Sequence, residues 1–329
     1  MIGPDGEAVV GWIAPRRRTV RSHEPDAEAV EALDERRRRA RARRSLFDDN
    51  CVDTEQKYER QHEAPILAQD GSGMLRAITR AVSPAFQRCE LTFVERRPID
   101  LDLAQVQHLA YRQALERAGA AVEVIPADDR LPDAPFVEDA AVVFDEIAVI
   151  ARPGAASRRA ELDAVALALS RYRPLAFIQA PATLDGGDVL RIGRECFVGL
   201  STRTNADGVD QLSAILGAHG YRVTPVVVTG CLHLKSAVAA IGADTVLVNP
   251  AWIDAAAFRG YQWIDVPHAE PFAADCLVVN GVVHVAASWP RTLDLIRRQG
   301  FATEVIEISE FEKAEGGLTC LSLLVEERD

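Results

Sequence analysis

Cys320, in the run GGLTC, and His233, in GCLHLKS, are the pair in this chain whose types suit nucleophilic chemistry. A thiol becomes a working nucleophile when a histidine and a carboxylate manage its proton. The carboxylate placed to orient that imidazole is Asp185 or Asp188 of LDGGDV, whose glycines allow close main-chain approach. A second acidic group, Asp133, Glu138 and Asp139, crowds the otherwise apolar stretch LPDAPFVEDAAVV. Carboxylates entering a core are costly unless a cation meets them, so this group suits a cationic substrate. Arg152, Arg158 and Arg159 of RPGAASRRAE and Arg203 of STRTN add guanidinium forks of the kind that grip a carboxylate bidentately. Together these residues describe an amino acid clamped by its carboxylate, its distal cation lying beside a thiol.

What must position them is an internal repeat of helix and three short strands. First strands read VEVIP (122–126), LAFIQ (175–179), YRVTPVVV (221–228), YQWIDVP (261–267) and TEVIEI (303–308). Second strands begin at FVEDAAVVF (136), LDGGDVLRI (184), LHLKSAVAAI (232), AADCLVVN (273) and LTCLSLLV (318), and third strands at AVIA (148), CFVG (196), TVLV (245) and VHVA (283). The last unit lacks its third strand, and LRAIT (75–79) has the character to supply it and close a ring. Helices are predicted over 101–118, 157–171, 207–218, 251–258 and 291–299, with Gly119, Gly220 and Gly300 at C-caps. The expected fold is a five-bladed α/β propeller. Asp139, Asp188, His233, Asp275 and Cys320 share one phase of the repeat, so in a closed ring they point at a common axis. The other globular cysteines (89, 196, 231 and 276) read as small buried apolar residues, and His108 and His219 as solvated helix positions.

The 329 residues are 48% apolar with formal net charge −12, which excludes wholesale disorder and argues against nucleic-acid or anionic-membrane binding. No apolar run is long enough to span a bilayer, the N-terminus has no signal-peptide character, and the cysteines show no CxxC spacing; the expectation is a cytoplasmic protein. Residues 1–73 differ in composition, with 13 Lys and Arg, 15 Asp and Glu, and the run RRRRARARR at 36–44. They read as a charged, partly helical (24–47) or disordered extension, and Met74 as an alternative start; the catalytic domain is 74–329.

LPDAPFVEDAAVV, RPGAASRRAE, LDGGDVLRIGRECFVGLSTRTNADG, LHLKSA and GGLTCLSLL resemble the dimethylarginine dimethylaminohydrolases of the pentein, or guanidino-group-modifying, superfamily. The resemblance covers about 74–326 and implies the same propeller. It implies that Cys320 is the nucleophile, His233 the general acid and base, and Asp185 the carboxylate orienting it. It assigns Asp133 and Asp139, with Glu138 beside them, to the substrate guanidinium, Arg158 and Arg203 to the carboxylate end, and Leu91 to a lid. Ala134–Pro135 departs from the family pattern and stiffens its loop. The implied reaction hydrolyses Nω,Nω-dimethyl- or monomethyl-L-arginine to citrulline and an alkylamine through a thiouronium intermediate, with no cofactor or metal. The alternatives are another guanidine hydrolase, such as an arginine deiminase releasing ammonia, and a non-catalytic binding protein with a basic arm. The expected partner is a small guanidino amino acid; a homodimer is compatible with the sequence.

Overall fold

The computed structural model describes residues 73–327; the helix expected over 24–47 lies outside the described residues. Fifteen strands form five sheets of three. They are β1 (Leu75–Arg80), β2 (Ala121–Ile125), β3 (Ala141–Val143), β4 (Ala148–Ile150), β5 (Leu175–Phe177), β6 (Val189–Ile192), β7 (Glu195–Leu200), β8 (Arg222–Val227), β9 (Val238–Ala240), β10 (Thr245–Val248), β11 (Gln262–Asp265), β12 (Leu277–Val279), β13 (Val282–Ala286), β14 (Ala302–Ile306) and β15 (Leu323–Glu326). The sheets run β15-β1-β2, β3-β4-β5, β6-β7-β8, β9-β10-β11 and β12-β13-β14, each with one antiparallel and one parallel pairing.

Each sheet takes its second and third strands from one sequence repeat and its outer strand from the next. The reason is the connection. Antiparallel neighbours need only a tight turn, whereas a parallel neighbour needs a crossover, here mostly a helix. Helix Leu101–Arg117 carries the chain from β1 to β2, helix Ala206–Gly217 from β7 to β8, and helix Pro290–Arg298 from β13 to β14. Asp100 and Asn205 cap two of these by accepting from Leu103 and Gly208 main-chain nitrogens, and Pro290 starts the third. Gly119, Gly220 and Gly300 all have φ between 77° and 87°, the left-handed ends that L side chains avoid. Two expected helices are reduced. The segment 157–171 is a 3-10 turn (Ala156–Glu161) followed by helix Leu162–Leu169, and 251–258 holds only the 3-10 turn Ala255–Phe258.

Strand β1 closes the ring as its composition foretold, pairing antiparallel with β15 and parallel with β2. Its last four residues are buried.

The expected second strands are shorter than their patterns. Tight 3-10 turns at Val137–Ala140, Gly186–Asp188, Leu234–Ser236 and Thr319–Leu321 precede β3, β6, β9 and β15 and pack against one another. The polar residues of the shared phase therefore sit on or beside inward turns, not on strands. A buried turn leaves amides unpaired, and carboxylates fill them: Leu234 donates to Asp188, Thr319 to Asp275 and Gly187 to Asp139, at 2.9–3.2 Å. His108 is also corrected. It is buried, stacked on Tyr111 and tilted against Phe311, and burial holds its pKa down to about 4. Its helix face looks outward only until the 309–312 segment covers it.

Ile78 of the closing strand is fully buried among Ile125, Val137, Ile150 and Val325. Ile78→Ala should cost about 3 kcal/mol in urea unfolding, the cost of a large-to-small change at a fully packed site.

Candidate active site

The inward turns surround a narrow cavity lined by Glu90, Asp133, Phe136, Asp139, Arg158, Arg203, Leu232, His233, Ala314, Glu315, Gly316 and Cys320. Two of the arginines singled out in the sequence, Arg152 and Arg159, are not among these; they donate instead to the carbonyls of Ala182 and Pro153.

His233 is buried between two carboxylates. Its Nε2 lies 3.1 Å from Asp185 Oδ2, and its Nδ1 lies 3.7 Å from Asp139 Oδ1. Of the two carboxylates left open by the sequence, Asp185 is thus the one on the ring, and it also accepts from the Gly154 amide. Asp188 instead takes the hydroxyls of Ser201 and Thr204 at 2.6 and 2.7 Å. Burial opposes a charged imidazole. The charge of Asp139, the hydrogen bond to Asp185 and the charge of Asp188 outweigh it and raise His233 to about 9. Gly187 permits this closeness: a Cβ there would stand 2.7 Å from His233 Nδ1 and 2.8 Å from Asp139 Oδ1.

Cys320 sits on the Thr319–Leu321 turn. Its Sγ receives the Gly317 amide at 3.4 Å and lies 4.0 Å from Asp275 Oδ2. Burial, then the charges of Asp275, Glu138 and Asp139, drive the thiol well above its ordinary pKa. The turn is anchored from behind by the buried Tyr111 hydroxyl, 3.0 Å from the Leu318 carbonyl and 2.8 Å from Ser322 Oγ. From the side, Thr319 Oγ1 donates to Glu138 at 2.8 Å.

The acidic group divides by partner. Arg158 is buried and spends its guanidinium on Asp139, Glu161 and the carbonyls of Asp133 and Phe136. Lys235 Nζ binds Glu138 at 2.5 Å. Among the described residues, Asp133's carboxylate accepts only from the Glu90 amide, at 3.1 Å, and burial pushes it up to about 6 in spite of Arg158. Asp275 is raised to about 7 by burial and the charge of Glu138, and Asp188 to about 6 by burial. Asp139 goes the other way: burial would raise it, but His233 and Arg158 hold it low. The cavity is thus short of positive charge, and a cation entering it would relieve the raised carboxylates. Arg203 is half-buried at the rim, and Leu91 packs on a cluster containing Phe86, Phe136 and Phe311. Asp139, Asp185 and His233 offer three atoms within 4.8 Å of one another. With His233 protonated and Arg158 on Asp139, that trio holds protons and internal ion pairs before it holds a metal.

Some site residues were missed in the sequence. Glu161 could have been found as the i,i+3 partner of Arg158. Lys235 follows His233 by two, and Glu315 precedes Cys320 by five; neither spacing carries a signal of its own.

A family profile described as arginine deiminase matches residues 176–275. The N(G),N(G)-dimethylarginine dimethylaminohydrolase of Streptomyces coelicolor is 43% identical over 255 residues, covering 77% of this chain and 97% of the relative. That of Pseudomonas aeruginosa is 36% identical over 226 residues, covering 68% of this chain and 89% of the relative. A structure of the P. aeruginosa protein, a cysteine-to-serine mutant complexed with citrulline, superposes with TM-score 0.73 and 33% identity over 76% of this chain and 99% of that one. The N-terminal domain of ArgZ, a cyanobacterial arginine dihydrolase, shares the fold at TM-score 0.67 and 18% identity. The fold is the pentein propeller. Within that class, the chain belongs to the dimethylarginine dimethylaminohydrolase family. Among the described residues, no helix is long and apolar enough to cross a membrane.

A raised His233 has a consequence for stability. Its folded pKa of about 9 exceeds the ordinary value of 6.5, so its contribution is complete below about pH 6.5 and is lost as pH rises through 9. NMR titration should place the imidazole near pH 9, with Asp185→Asn moving it down, and urea stability should decline across that window.

Proposed function

We propose that this protein hydrolyses Nω-methylated L-arginine to L-citrulline and an alkylamine, with Cys320 as nucleophile and His233 as general acid and base. The observation that carries the reading is one cavity holding a thiol, a doubly carboxylate-held imidazolium and an under-neutralised carboxylate group. The relatives named for dimethylarginine hydrolysis, and the related structure that holds citrulline, support the same substrate class.

In this scheme Asp133 and Asp139, with Glu138 behind them, keep the substrate guanidinium planar and cationic, so that its carbon stays electrophilic. Arg203 takes the substrate carboxylate at the rim. Arg158 backs the site by fixing Asp139, and Leu91 lies over it. The guanidinium charge offsets the negative field that holds the Cys320 proton, so the thiol gives that proton up to water as substrate arrives. The thiolate attacks the guanidinium carbon and forms the S–C bond. As the C–N bond breaks, the amine departs with a proton from His233, leaving a thiouronium on sulfur. His233, now neutral, takes a proton from water, whose oxygen adds to that carbon. The S–C bond then breaks as the added hydroxyl passes its proton to the departing sulfur, which leaves the ureido carbonyl, the Cys320 thiol and a protonated His233. The scheme draws on neither metal nor organic cofactor.

Catalysis is assigned to residues 74–329, with residues 1–73 as a charged extension. Five described cysteines, all free, support a reducing, cytoplasmic setting.

Product analysis tests the reading. Asymmetric dimethylarginine should yield citrulline and dimethylamine in equal amounts, and Cys320→Ser should yield neither while keeping the fold. Citrulline and ammonia from arginine alone would move the activity to a deiminase. A second outcome follows from Asp133, raised to about 6. Protonating it removes a charge that faces the cation, so KM should climb as pH falls below 6. A KM flat from pH 5 to 7.5 would remove Asp133 from the guanidinium contact.

A further inference from the structure

The segment after Cys89 has neither helix nor strand and begins at the cavity wall with Glu90. Three consecutive amides in it, of Thr92, Phe93 and Val94, turn toward one side chain. Thr92 donates to both Glu315 carboxylate oxygens at 2.9 and 3.0 Å, Val94 to Oε1 at 2.7 Å, and Phe93 to the same oxygen. A single carboxylate thus takes main-chain donors that a strand would have paired with a neighbour, a concave anion-binding arrangement of backbone amides. Glu315 and Glu90 both line the cavity.

The backbone under Glu315 makes this unusual. Gly316 donates to the Phe311 carbonyl at 2.9 Å and Glu315 to that of Glu312 at 3.2 Å, closing the short helix Ser309–Glu312. Glu315 has φ +60°, the left-handed conformation that such a helix end normally gives to glycine. A side chain is kept where its backbone would do better without one. The following Gly316 fits beneath Phe136, where a Cβ would come within 2.2 Å of the ring. Cys320 lies four residues beyond Gly316.

We propose that Glu315 is a positioning residue that latches the 90–94 loop over the cavity and ties it to the segment bearing Cys320. The latch holds the loop that carries Leu91, whose side chain lies on the cluster that contains Phe136 and Phe311. Its kinetic consequence rests on the guanidine-hydrolase reading; its structural consequence does not.

The test uses the full chain with Glu315→Gly, which suits the left-handed backbone, and Glu315→Gln, which keeps one acceptor oxygen. Amide hydrogen exchange should speed up at least about tenfold at Thr92, Phe93 and Val94 in the glycine variant, and less in the glutamine variant, with the helix Leu101–Arg117 unchanged. With asymmetric dimethylarginine, KM should rise about tenfold in the glycine variant while kcat stays within about a factor of two, and Glu315→Gln should recover part of that loss. Unchanged exchange at the three amides overturns the latch whatever the activity. Faster exchange with KM and kcat both as in the wild type overturns the positioning role. If the wild type turns over no guanidine, the hydrolase reading has failed, and the exchange result alone still decides the latch.

Discussion

Negative charge buried at the centre of the ring is the constraint on which the rest depends. Asp133, Glu138, Asp139, Asp185, Asp188 and Asp275 are all buried, and isolated carboxylates do not survive in a core. Each is held by something specific: a main-chain amide, a hydroxyl, Lys235, Arg158 or His233. The turns are therefore as much a product of the carboxylates as the carboxylates are of the turns. Remove the acids and the 3-10 amides are orphaned; remove the turns and Asp139, Asp188 and Asp275 each lose a main-chain donor.

The same charge sets the chemistry. An imidazole in an apolar core would be neutral, and a thiol among carboxylates stays protonated. Here one environment does both things with opposite sense: it keeps His233 charged and Cys320 neutral. In the proposed reaction, a site in that state has its acid ready and its nucleophile silent. A cation is the ligand that reverses the second without destroying the first, because it relieves the field at sulfur while Asp185 stays on the ring. In the proposed reaction, selectivity for a cationic guanidine and activation of the thiol are one electrostatic event.

Arg158 shows how far such a network departs from a reading by residue type. A guanidinium beside an acidic motif suits a substrate carboxylate, yet its donors are consumed inside the protein, by Asp139, Glu161 and two carbonyls. Arg203 at the rim keeps its fork nearer the opening. The division follows from burial, since a fully buried guanidinium cannot leave its donors unmet.

The ring itself was legible from sequence, because a five-fold repeat of apolar runs recurs at nearly constant spacing and an unpaired strand at each end has to find a partner. The order of those strands, the left-handed glycines and the common phase of Asp139, Asp188, His233, Asp275 and Cys320 are all local or periodic properties, and periodicity survives in one dimension. Spacing alone did not choose Asp185 over Asp188 for His233, since two acids three residues apart differ only in which way a tight turn faces them; only the family resemblance pointed to Asp185. The burial of His108, the pairing of Lys235 with Glu138 across 97 positions and the contact of Glu315 with amides 221–223 residues away depend on segments that meet only when the ring closes. Repeat and composition decide which side chains approach the axis; hydrogen-bond satisfaction in a low-dielectric centre decides which of them touch.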